Sequence, residues 1–401
     1  MTHRAVLLTG SFGLGHEMMA RGCAALLEGS GWRTRSLNAM DMLGPRSGAA
    51  GERLFGKLVA VPGLYDGLHF AHLRTGSRLA GLMDRAASAQ LVPALRAELE
   101  REPAELVLSV FATGALAAAR LKSEAPGRRT VVLCTDVAVH RLWVREGTDL
   151  FLVTSPAAAA SVRRYLPRAA VSVVPPPVRP SFYAAPSQQE ARAGLGVPPD
   201  EPCVLVIDSG WGFGPLVASV RALAGAGVHV LAVAGRQLAV ERRLRELAVT
   251  APRVRPFGFT DRVPELMAAA DVVVALPGAN TCSEVRVVGR PLLLLDVMPG
   301  HGRDNLLHEL ELGGASVCVA TPAGVTASAL ALLDQTPRPA PRAGQEPRWE
   351  PAYAAAMQRV GVELSLPELP QVAVGPGGRP RQNRPASAPN TPEAAIGAKS
   401  P

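Results

Sequence analysis

Aromatic residues are scarce, 4% of the chain, and no basic run is interleaved with them, so the stacking platform of a single-strand nucleic-acid binder is missing. Cysteine is sparse too. Cys23, Cys134, Cys203, Cys282 and Cys318 are odd in number, far apart and without a C-x-x-C pair, which argues against both a disulfide framework and a zinc site. They read as reduced core residues of a cytosolic protein. No apolar run approaches the roughly 20 residues that cross a bilayer, and the apolar stretch of the opening "MTHRAVLLTG" is too short for a secretory signal. Any membrane contact is therefore expected to be peripheral, on the cytoplasmic face. Charged residues amount to only 19%, yet the formal net charge is +8, which favours an anionic partner. An anionic lipid surface fits that balance at least as well as nucleic acid.

What is present is an alternation of short β-branched or leucine-rich runs with helical-period segments, the pattern of parallel sheets covered on both faces. The fold class is α/β. Strands are predicted at 5–9, 33–37, 106–110, 130–134, 150–154 and 171–174, then at 204–207, 228–233, 254–257, 272–276 and 292–296. Residues 1–177 read as a first nucleotide-fold half, interrupted at about 40–102 by a helical insertion carrying both basic and apolar residues, either a hairpin packed on the domain or an amphipathic surface facing lipid. The prolines of "VVPPPVRPSFY" and "GVPPDEP" place a linker at 178–202. A second half covers 203–335, "EPAYAAAMQRVGVEL" within 336–366 reads as a returning helix, and the Pro-rich tail 367–401 reads as disordered.

In "TGSFGLGH" a strand hands over to a helix through Gly10, Gly13 and Gly15. The spacing G-x-x-G-x-G is neither the dinucleotide fingerprint nor a P-loop, but it still lets backbone N–H groups approach an oxygen-rich ligand at a helix N-terminus. The plain alternative is a tight turn that binds nothing. His16 falls at the first helical positions, where the macrodipole disfavours imidazolium, and a neutral imidazole is a suitable base for a hydroxyl. Its plain alternative is a histidine bonded to a loop carbonyl. Asp136 and His140, in "TDVAVH", leave a strand end and are candidates for orienting a base or binding acceptor hydroxyls; an exposed pair without a role is equally compatible.

The stretch "GFTDRVPELMAAADVVVALPGANTCSEVRVVGRPLLLLDVMPGHGRDN" supplies a capped helix, a buried strand and a turn into a helix starting near Thr281. Thr281 and Glu284 satisfy the S/T-x-x-E capping box, so Glu284 either holds its own helix end or accepts the hydroxyls of a ribose.

These residues, with "LLTGSFGLGHEMMARG" in front and "TDVAVHRLWVREGTDLFLV" between, resemble the MurG and monogalactosyldiacylglycerol synthase group of glycosyltransferases, including the processive diacylglycerol glucosyltransferases. The resemblance implies a GT-B fold of two Rossmann-like doubly wound domains facing a cleft, with acceptor in the first and nucleotide-sugar in the second. It implies inversion at the anomeric carbon with a UDP-sugar as co-substrate, a lipid acceptor such as diacylglycerol, and neither cofactor nor bound metal. The chain indeed has no D-x-D triplet. Carried over by position, His16 is the general base and Glu284 the ribose-binding acid. Phe259 and Thr260 flank the uracil, and Gly278, Ala279, Asn280 and Thr281 line the diphosphate. Asn305 reaches sugar hydroxyls, while Gly13, Gly15 and Gly210 of the two glycine loops approach the donor. Two positions depart from the diacylglycerol enzymes: Leu276 stands where a lysine is usual, and His301-Gly302 where a glutamine-glutamate pair is usual. Altered donor choice is the expected consequence. A binding protein that retains the fold without catalysis, or a UDP-sugar epimerase on the same fold, remain the alternatives. A short-chain oxidoreductase is disfavoured, since no tyrosine is followed by lysine four residues on.

Overall fold

The computed structural model describes residues 3–10, 15–43, 67, 77–207, 215–297, 300–336 and 347–366. Their organising features are two six-stranded parallel sheets. The first contains β1 (Arg4–Thr9), β2 (Arg33–Asn38), β3 (Leu106–Ser109), β4 (Arg129–Cys134), β5 (Leu150–Val153) and β6 (Val171–Val173) in the order β2-β1-β3-β4-β5-β6. The second contains β7 (Cys203–Ile207), β8 (His229–Val233), β9 (Val254–Phe257), β10 (Val272–Ala275), β11 (Leu292–Leu295) and β12 (Ala315–Cys318) in the order β12-β11-β10-β7-β8-β9. Helices on both faces bury strands such as "LVLS" and "LFLV" completely, which is why these runs are nearly continuous in apolar residues rather than alternating.

In each sheet the strand order reverses beside the first strand: between β1 and β3, and between β7 and β10. At such a reversal adjacent loops run to opposite faces and open a crevice at the carboxyl ends of the strands. The turns after β3 and β10 stand there.

Eleven of the twelve strands fall where the apolar runs predict them; β12 has no counterpart among those predictions. It is an edge strand, short, with Val317 partly exposed, so its signal is weak. Part of the proline-rich stretch read as a linker is also ordered. Ser187 and Glu190 form a reciprocal capping box that starts the helix Gln188–Leu195. The buried Arg192 of that helix reaches Asp271 at 2.8 Å, and Gln188 donates to the same carboxylate at 2.9 Å, so the helix is riveted to the second sheet.

Of the helical insertion, the described parts are a short 3₁₀ turn, Asp41–Leu43, and the helix Arg78–Arg101, whose Leu91, Leu95 and Leu99 pack under the first sheet. The rest of that insertion, and the tail 367–401, lie outside the described residues. After the second sheet the chain returns as the helix Trp349–Gln358. Trp349, Tyr353, Ala356 and Met357 complete the core of the first half against β1, β3, β4 and β5, and the Trp349 indole N–H donates to the Val178 carbonyl at 3.0 Å.

Candidate active site

Gly10 follows β1, and its lack of a side chain is a packing requirement: a Cβ there would sit 2.6 Å from the Phe111 ring. This close approach brings Gly10 against Phe111 in the turn after β3. The helix Gly15–Gly29 comes next, with His16 its second residue. Nδ1 of His16 donates to the Val110 carbonyl at 2.7 Å. A carbonyl oxygen only accepts, so the neutral ring carries its proton on Nδ1 and its lone pair on Nε2. The ring meets Phe111 edge-on, centroids 5.2 Å apart, and lies 6.4 Å from Trp143. His16 is half-buried and spans the strand-order reversal of the first sheet.

Trp143 joins His16 to the second pair of candidates. It is buried in the loop between β4 and β5, packed on Val132, Val139 and Phe151 where a covering helix would otherwise lie. Its indole N–H donates to Asp136 Oδ2 at 2.7 Å. His140 Nε2 approaches the same oxygen at 3.6 Å. Asp136 and His140 are therefore held together on one tryptophan, beside the ring of His16. No local sequence signal marked Trp143 or Val110, whose roles depend on partners from other strands.

In the second half the helix is Ala279–Val288, beginning two residues earlier than the Thr281 start expected from the sequence, with Gly278 as its N-cap and no side-chain cap. Thr281 is thus inside the helix, and the capping-box role open to Glu284 is not the one it takes. The N–H groups of Ala279, Asn280 and Thr281 lie in the first turn, where an α-helix has no internal acceptor, and they face outward at the reversal between β7 and β10. A Cβ at Gly278 would meet nothing within 4 Å, so the turn is open for a ligand to approach its backbone.

Two asparagines brace this turn. Asn305, nearly buried on the helix His301–Leu312, donates to the Pro277 carbonyl at 3.2 Å. Asn280 donates to the Gly15 carbonyl at 2.9 Å, tying the turn of the second half to the residue before His16. Among the described residues, the side-chain oxygens of both are buried without a hydrogen-bond partner. Leu276 is packed into the core of the second half.

Glu284 lies one turn further along the helix, its side chain 14% exposed. Burial lifts its carboxyl from the ordinary 4.5 to about 7, against the opposing pull of Arg179. Arg179 Nη2 stands 3.7 Å from Glu284 Oε1. Across the site, Phe259 is half-exposed after β9 with the Arg236 guanidinium 5.0 Å over its ring, and Thr260 Oγ1 accepts from the Arg262 backbone N–H at 3.2 Å. Arg179 and Arg236 were not among the sequence candidates. Gly13 and Gly210, with the rest of the loops 11–14 and 208–214, lie outside the described residues. Among the described residues no three His, Cys, Asp or Glu side chains form a metal-binding group.

Paired six-stranded parallel sheets are the architecture of GT-B glycosyltransferases, and comparison with solved structures shows this fold. The chain resembles MurG of Acinetobacter baumannii, with a TM-score of 0.53 at 16% identity, covering 83% of this chain and 91% of that one. It also resembles a UDP-glucosyltransferase from Polygonum tinctorium, with a TM-score of 0.57 at 13% identity, covering 90% of this chain and 99% of that one. Two segments match family models: residues 76–178 match the monogalactosyldiacylglycerol (MGDG) synthase model, and residues 215–317 match the glycosyltransferase family 28 C-terminal domain model.

A probable monogalactosyldiacylglycerol synthase of Glycine max is 29% identical over 195 residues, 46% of this chain and 37% of that protein. The processive diacylglycerol beta-glucosyltransferase of Bacillus pumilus is 25% identical over 197 residues, 47% of this chain and 50% of that protein. The matched region spans half or less of the length of these two curated relatives.

Proposed function

We propose that the chain is an inverting glycosyltransferase that moves a hexosyl unit from a UDP-sugar to a hydroxyl of a diacylglycerol-like lipid, without a bound metal or other cofactor. The observation that carries this reading is the His16 tautomer. With Nδ1–H given to the Val110 carbonyl, Nε2 is the basic nitrogen, held at the strand-order reversal where an acceptor would enter.

Nε2 takes the acceptor's hydroxyl proton as its oxygen forms a bond to the anomeric carbon from the face opposite the leaving group. The bond from that carbon to the UDP oxygen breaks, and UDP leaves with the electron pair. The first-turn N–H groups of Ala279, Asn280 and Thr281 receive the growing negative charge on the diphosphate, as preorganised donors at a helix N-terminus. Glu284 accepts ribose hydroxyls, and Phe259 with Arg236 offers a flat face for the base. The names of the two relatives support a diacylglycerol acceptor.

The lipid substrate calls for a membrane surface, and we assign a peripheral position on the cytoplasmic face. No described helix is long and apolar enough to cross a membrane. A cavity of about 440 Å³ in the first half is lined by Arg120, Arg141, Arg145, Arg164 and Glu146, with Arg141 and Arg145 turned to Asp84, and its remaining net positive charge supports attraction to an anionic surface. Leu276, apolar where the related enzymes have lysine, favours a donor preference different from theirs.

Release of UDP from radiolabelled UDP-glucose, UDP-galactose and UDP-N-acetylglucosamine, with and without diacylglycerol vesicles, tests the proposal. Label appearing in the lipid phase only with the acceptor supports transfer. UDP-sugar binding with no transfer to any acceptor leaves the non-catalytic reading, and interconversion of the sugars the epimerase one.

A further inference from the structure

Arg179 is not part of the second sheet or its helices. It lies in the segment that joins the two halves, as the N-cap residue of the four-residue helix Pro180–Tyr183, with extended backbone. Its guanidinium is 4.9 Å over the Phe182 ring, a contact that restricts where the long side chain can go. From there Nη2 is 3.7 Å from Glu284 and Nη1 is 4.0 Å from Asp261, which is itself 93% exposed. Nε is buried and has no hydrogen-bond partner among the described residues.

The other charges on elements packed against the helix Ala279–Val288 are engaged elsewhere. Glu17 is paired with Arg21 on the helix of His16, and His16 itself bonds Val110. Glu265 is paired with Arg262 at 2.7 Å, and Glu309 with Arg286. Arg179 is the cation whose charge acts on Glu284.

We propose that Arg179 is a positioning residue of the nucleotide site: a cation carried by the inter-half segment to Glu284, which aims that carboxylate and keeps it an acceptor for a ribose diol. The proposal rests on the nucleotide-sugar reading of the site. An isolated carboxylate in so dry a place would hold its proton, and a protonated carboxyl presents a donor and a weaker acceptor to a pair of hydroxyls. Arg179 opposes that protonation, so burial and ion pairing are balanced near neutrality. The same geometry links the inter-half segment to nucleotide affinity, because any movement that withdraws Arg179 also weakens Glu284 as an acceptor.

The test is UDP binding by calorimetry from pH 6 to pH 9.5 on the full chain, in wild type, R179M, R179Q, R179K and E284Q. In wild type, affinity is expected to rise with pH through about 7 as Glu284 ionises. In R179M and R179Q the same rise occurs but its midpoint moves up by about a pH unit, a loss of roughly fivefold at pH 7 and roughly tenfold at pH 6 that is recovered in alkali. R179K retains the charge and keeps the wild-type midpoint, and E284Q binds weakly with no such rise. R179M and R179Q that weaken binding equally at every pH, or leave the midpoint in place, overturn the proposal. If wild type itself binds no UDP at any pH, or E284Q binds as well as wild type, it is the nucleotide reading that fails instead.

Discussion

The Asn280 side chain donates to the Gly15 carbonyl at 2.9 Å, so the turn that opens the second half's helix is fastened to the residue next to His16. In the proposed mechanism this bond sets base and leaving-group site in a common frame. Asn280→Ala should cost about 1 kcal/mol of stability and lower kcat by roughly tenfold through misplacement of the two halves. UDP affinity should change far less. A proportional fall in UDP affinity would mean that Asn280 serves the nucleotide rather than the alignment.

His16→Ala and His16→Gln should each reduce transfer by at least about a hundredfold, while calorimetry shows UDP affinity within about twofold of wild type. Neither variant removes a group that faces the nucleotide. Retained turnover in both would dismiss His16 as the base.

Glu284→Gln carries a signature in both binding and stability. The carboxyl's folded pKa of about 7 lies above its ordinary 4.5, so between those values the folded state keeps a proton that the unfolded state has released. Wild-type stability therefore falls as pH rises across that window and is level above it. Glutamine does not titrate, so the variant should gain stability relative to wild type from pH 4.5 to about 7 and hold the gain beyond. Parallel melting curves at pH 5 and pH 8 check this. Over the same range above pH 7 the variant should bind UDP at least about tenfold more weakly, the loss expected when a charged acceptor is replaced by a neutral one.

Trp143→Phe keeps an aromatic ring in the loop after β4 but deletes the N–H that holds Asp136. The acceptor KM should rise while UDP binding stays unchanged. An altered UDP affinity with a normal acceptor KM would place Asp136 and His140 outside the acceptor site.

Gly10→Ala drives a methyl group to 2.6 Å from the Phe111 ring, and the structure must shift to admit it. A destabilisation of about 1–3 kcal/mol is expected, visible in denaturant midpoints. Adding Gly10→Ala to Phe111→Ala should cost almost nothing more, because the obstructing ring is gone.

The α/β class and the two parallel sheets were legible because strands covered on both faces must be nearly all apolar, as "AVLL" in β1 and "LLLL" in β11 are. The weak edge strand β12 was not, since half of its side chains face out. The early start of the helix Ala279–Val288 escaped notice for a related reason: Gly278 caps through its backbone and leaves no side-chain mark. Residues whose role is written in their own neighbourhood, such as the glycine turns and His16, could be named from local pattern. Arg179 and Trp143 could not, because each acquires its partner only when distant strands and connections are brought together.

The helix Trp349–Gln358 supplies Trp349, Tyr353 and Met357 to the interior beside β1, β3, β4 and β5. During synthesis the ribosome therefore releases all six strands of the first sheet well before the piece that closes it. At about 5–20 residues per second, the wait is roughly 10–35 s for the stretch between β6 and that helix. Throughout it the nascent chain presents an open apolar trough, a natural docking place for a chaperone, and a stop codon before Trp349 would leave that trough permanently uncovered.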